Sequence, residues 1–68
     1  MTGYYVEVYQ PDGKAMEAWA LHTTFDAAFA WIEQRLRENA ERIARVFTHA
    51  RITAEQKAKL DRYGVGAI

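Results

Sequence analysis

From residue 4 to residue 9 the chain reads Tyr4-Tyr5-Val6-Glu7-Val8-Tyr9. This aromatic and β-branched run is of the kind strands favour, and its period of two puts Tyr4, Val6 and Val8 on one face. Gln10-Pro11-Asp12-Gly13-Lys14 interrupts it. Asp-Gly suits the two positive-φ positions of a type I′ turn, so the spacing predicts a two-residue loop at Asp12-Gly13. In that register Tyr4 faces Leu21, Val6 faces Trp19 and Val8 faces Glu17. Five of these six residues are apolar, and they are expected to form the core side. Tyr5, Glu7, Tyr9, Met16, Ala18 and Ala20 fall on the opposite side, which is unusually apolar for a surface meeting water.

Thr23-Thr24 before Phe25-Asp26-Ala27-Ala28 marks a helix start, a threonine cap with an acid in the first turn. Phe25, Ala28, Phe29, Ile32, Leu36 and Ala40 then recur at helical spacing. Glu33 and Arg37 form an i,i+4 pair on the solvent side, and Trp31 falls on the flank beside Ala27 and Arg35. Asn39 can end the helix in a left-handed conformation.

Residues 39–52 read two ways. Ile43 and Phe47 continue the helical spacing, with Glu38/Arg42 and Glu41/Arg45 paired as on a helix. Alternatively Ala44, Val46, Thr48, Ala50 and Ile52 alternate with Arg45, Phe47, His49 and Arg51, as on a strand. Length decides for the strand: a helix from 24 to 50 would be ~40 Å long, about twice the hairpin it must cover. Thr53-Ala54-Glu55-Gln56 fits a capping box opening a short helix to Tyr63. Gly64 falls at the left-handed position after it, with Val65 placed to touch Leu60. Few apolar residues lie on this helix, so weak docking is expected.

The expected fold is therefore one α+β domain over residues 1–68, ββαβα, an antiparallel sheet covered on one face by a helix. Half of the 68 residues are apolar, which suffices for a core. There is no cysteine, hence no disulfide framework or thiolate metal site, and a reducing cytoplasm is the expected compartment. Neither a signal peptide nor a run of ~18 apolar residues is visible, so no membrane association is expected. Formal net charge is zero, but residues 1–33 hold one base, Lys14, against five acids, and residues 34–68 hold eight bases against four acids. Such asymmetry marks either a basic face for an anionic partner or the ordinary decoration of solvated helices.

Catalytic chemistry finds little material. Serine and cysteine, the commonest nucleophiles, are both missing. Thr2 would become an N-terminal nucleophile on removal of Met1, but nothing else supports that role. His22 and His49 have no partner at metal-ligand spacing and read as surface residues. Glu7 and Glu17 fall on opposite faces in the expected register, and the four glycines form no phosphate loop. The chain is expected not to be an enzyme and to use no cofactor or metal.

What stands out is the sheet face opposite the core. With the third strand beside the first, it gathers Tyr5, Tyr9 and Met16 with Arg45, Phe47, His49 and Arg51. Aromatic residues with arginines are what a protein interface uses, and also what base stacking with phosphate contact needs. The first expectation is thus a protein-interaction module, the second a small RNA or single-stranded DNA binder using the same face. Burial of that face under the terminal helix or in a homodimer is the remaining expectation. No motif places the chain in a family. In size, lack of a site and compact Ala/Arg-rich build it resembles the small inhibitors of phages and mobile elements, anti-CRISPR proteins among them, which implies blockade of a partner's surface.

Overall fold

The computed structural model describes residues 3–67. Strand β1 (Tyr4–Tyr9) is followed by β2 (Met16–His22), helix α1 (Phe25–Glu38), β3 (Ile43–Thr48), helix α2 (Ala54–Arg62) and β4 (Gly66–Ala67). The sheet order is β2-β1-β3-β4. β1 pairs antiparallel with both β2 and β3, while β4 lies parallel to β3. The fold is α+β with the expected order ββαβα, extended by a fourth, two-residue strand.

The hairpin register differs by one residue from the sequence expectation. Tyr5 faces Leu21, Val6 faces Ala20, Glu7 faces Trp19 and Val8 faces Ala18, with a bulge before Tyr9 meets Met16. The cause lies in the loop. Pro11 sets the φ of the second position of a Gln10–Gly13 turn, closed by the Gly13 N–H donating to Gln10 O (2.8 Å). A two-residue loop would instead need an N–H at residue 11, which proline lacks. Only Gly13 takes positive φ here, at 73°, and Asp12 accepts hydrogen bonds from the Lys14 and Ala15 N–H groups. The loop is therefore longer than two residues, and the slip turns Trp19 and Leu21 outward.

α1 begins where expected: Thr24 Oγ1 accepts from the Ala27 N–H (3.2 Å). Its 14 residues span ~21 Å, matching strands of six or seven residues. Phe25, Ala28, Ile32 and Leu36 are buried against Tyr4, Val6, Val8 and Val46. Ala40 falls beyond the helix and is exposed. Asn39 stops the helix in extended rather than left-handed backbone, φ −154°, because its side chain accepts from the Glu41 N–H (3.0 Å) in a local turn. Arg42, at the start of the next segment, donates to Glu38 (2.9 Å) and to the Arg35 carbonyl (3.0 Å). Its Nε lies 2.7 Å from Glu17; that N–H is not aligned along the contact, so charge rather than a directed hydrogen bond joins β2 to this corner.

α2 docks through few apolar residues, with Leu60 its one buried side chain. Its capping box is complete, with Thr53 and Gln56 exchanging both bonds at 3.1 Å. At its end Gly64 adopts φ 69°, and the Val65 and Gly64 N–H groups donate to Leu60 and Asp61, each at 3.0 Å, closing a Schellman turn. Leu60 and Val65 enter the same core as Ile32 and Val46. Tyr63 meets Phe29 edge-on (5.8 Å) and donates to Glu33 (2.7 Å). Both helices therefore lie on one side of the sheet.

Candidate functional site

With both helices on one face, the other face is open, and the register places its side chains in rows across three strands. Leu21, Tyr5 and Phe47 form one row; Trp19, Glu7 and Arg45 the next; Met16, Tyr9 and Ile43 the third. The Tyr5 ring lies 6.0 Å from Trp19 and 5.9 Å from Phe47, tilted against both at 42°, so aromatic contact is continuous from β2 to β3. Among the described residues, Trp19, Leu21 and Met16 are the large apolar residues left exposed, at 61%, 64% and 47%.

Glu7 organises the middle of this face. It accepts hydrogen bonds from the Tyr5 hydroxyl (3.0 Å) and the Tyr9 hydroxyl (2.7 Å), one on each carboxylate oxygen. Partial burial, followed by the bond to Glu7, raises the Tyr5 phenol above its ordinary pKa. For Tyr9 the bond to Glu7 is the larger cause of the same rise. The Arg45 guanidinium leans over the Tyr9 ring, 5.5 Å from its centre. Among the described residues, Arg45 has no carboxylate within ion-pair distance, and Glu7 no cation.

The structure thus brings together Tyr5, Tyr9, Met16, Arg45 and Phe47, five of the seven residues singled out from the sequence. His49 and Arg51 do not join them. β3 stops at Thr48, whose hydroxyl donates to Gly3 O (2.7 Å) and accepts from the Ala50 N–H (2.9 Å); this turn takes His49 and Arg51 out of the strand as exposed residues. Trp19 and Leu21 are the residues the sequence reading missed, and the position of Pro11 was the signal that could have found them. His22, expected at the surface, is half-buried, its ring 5.7 Å from Trp31. Thr2 lies outside the described residues.

Elsewhere, an open groove of about 460 Å³ runs between the end of β3 and α2, lined by Thr48, Ile52, Leu60 and Val65, with Lys57 and Asp61 paired at its rim. Among the described residues, no group of three or more His, Asp or Glu is placed to hold a metal ion, and no helix is long and apolar enough to cross a membrane.

The fold and this face define a small α+β module whose sheet is covered on one side and open, aromatic and nearly charge-balanced on the other. No family model, curated protein or solved structure matches the chain.

Proposed function

We propose that this chain is a non-enzymatic protein-interaction module that works through the open face of its sheet, occupying a partner's surface as a small inhibitor does. One observation carries the reading: Trp19, Leu21 and Met16 stand exposed beside Tyr5 and Phe47 on paired strands. Large aromatic and apolar side chains on a rigid scaffold supply contact area at low entropic cost, and such residues dominate interface energetics.

The alternative, stacking of RNA or single-stranded DNA bases, is favoured by the Arg45–Tyr9 stack and the Tyr5 row. Against it, the centre of the face is a carboxylate, Glu7, with only Arg45 nearby to meet phosphate, since Arg51 lies off the strand. A phosphate backbone passing over Glu7 meets like charge.

Affinity capture from host lysate, with and without nuclease, tests the choice, using the wild type and the Trp19→Ala/Phe47→Ala variant. The expected result is a protein retained after nuclease by the wild type and lost by the variant. Loss of every partner with nuclease, together with steep weakening in salt, would establish nucleic-acid binding instead. Equal retention by both proteins would show that this face is not the contact surface.

A further inference from the structure

We infer that the open face receives a second copy of this chain, the two sheets packing face to face about a two-fold axis. The inference rests on reading that face as the contact surface, and goes beyond it by naming the occupant. The strand order β2-β1-β3-β4 has its midline between β1 and β3. In aligned sheet packing, with layers about 10 Å apart and strands within about 30°, a two-fold axis along that midline exchanges β1 with β3 and β2 with β4.

Under that operation each row meets its complement. Glu7 and Arg45 are cross-strand neighbours, so Glu7 comes over the second copy's Arg45, and Arg45 over its Glu7. Neither of these two charges has an opposite partner within ion-pair distance among the described residues of one copy. Tyr5 comes over the second copy's Phe47 in the neighbouring row. Trp19, the bulkiest residue on β2, comes over Gly66, which pairs with Arg45 and so occupies an outward position on β4. A side chain there would meet nothing within 4 Å, leaving room for an indole. A face with one acid, one base, a large residue on one edge strand and none on the other is complementary to itself, as an isologous interface requires. With no net charge on the chain, two copies approach without overall repulsion.

Size sets the strength. Three strands of six or seven residues and a fourth of two, spaced ~4.8 Å apart, give a footprint of roughly 300 Å² per copy in plan. That is below the ~800 Å² per partner of a standard interface, so the dimer is expected to be weak and reversible.

Sedimentation equilibrium of the full chain across the micromolar range tests this, with circular dichroism confirming that each variant is folded. The wild type is expected to dimerise. Trp19→Ala, an exposed position whose loss leaves the core intact, and the reversals Glu7→Arg and Arg45→Glu should each weaken the dimer about tenfold or more. The two reversal variants, mixed, should form a heterodimer about as tight as the wild type, because each then meets its opposite. A mixture no tighter than either variant alone would overturn the proposed pairing. So would a dimer indifferent to all three substitutions, which would point to pairing along the free edge of β2. A wild type that stays monomeric overturns the second copy as occupant while leaving the contact face standing or falling on the lysate capture.

Discussion

The Val65 N–H donates to the Leu60 carbonyl over 3.0 Å, and the two side chains sit in the same core at 5% and 1% exposure. The turn that ends α2 thereby also delivers β4 to the edge of β3. Leu60→Ala should cost ~2–5 kcal/mol and Gly64→Ala ~1–2 kcal/mol, since Gly64 holds positive φ. No atom lies within 4 Å of a Cβ at Gly64, so the second cost comes from the backbone alone. Urea unfolding measures both, and a neutral Gly64→Ala would show that the left-handed turn does not form.

The capping box makes a more local prediction. Thr53→Ala removes the acceptor for the Gln56 N–H and should cost ~0.5–2 kcal/mol. Thr53→Asp should recover most of it, because a carboxylate accepts the same bond and favours the helix N-terminus. Equal stability of the alanine variant and the wild type would leave the cap without energetic weight.

The hairpin register is open to a direct check. Facing outward, Trp19 contributes mainly its contact with Tyr5, so Trp19→Ala should cost about 1 kcal/mol or less. Phe25→Ala, in the core, should cost ~3–5 kcal/mol. In a register with Trp19 turned inward the two substitutions would be similarly damaging, and thermal unfolding of the pair separates the cases.

Tyr5, Tyr9 and Tyr63 all have phenols raised above their ordinary pKa, the first mainly by burial and the other two mainly by their bonds to Glu7 and Glu33. A raised folded-state pKa adds stability that is fully present below the unfolded value and is lost as pH rises through the folded one. Stability should therefore hold through neutral pH and fall above about pH 10, the ordinary tyrosine value. Absorbance of the phenolate during alkaline titration should rise later than in the unfolded chain, and Glu7→Gln should bring part of that rise forward. An unchanged curve in the variant would mean that Glu7 does not hold the two phenols.

Most of the architecture was legible because it is written in local patterns. The alternation of Tyr4, Val6 and Val8, the stripe from Phe25 to Leu36, the Thr53–Gln56 box and the Gly64 turn each lie within a few residues, where spacing and backbone preference decide. The hairpin register was not legible from Asp12-Gly13 alone, because Pro11 competes for the same turn and wins by fixing one φ and lacking one N–H. That misreading moved Trp19 and Leu21 to the wrong side and hid the most exposed part of the face. β4 has too few residues to show a pattern, and its pairing follows from where the Schellman turn aims the chain. The alternation through His49 and Arg51 was real, but Thr48 ends the strand with its own side chain, which no period reveals.

The position of β1 in the middle of the sheet bears on how the molecule assembles. Its pairing with β2 is local and forms on the scale of ~1–10 μs, whereas its other edge waits for β3, a closure across the 45 residues separating Gly3 from Thr48. During that wait the hairpin carries an unpaired edge rich in valine and tyrosine, open to any extended segment that arrives first. The rate at which α1 folds and turns the chain back therefore sets how long β1 can be claimed by a neighbouring molecule's third strand, and a slower helix would favour chains that exchange strands.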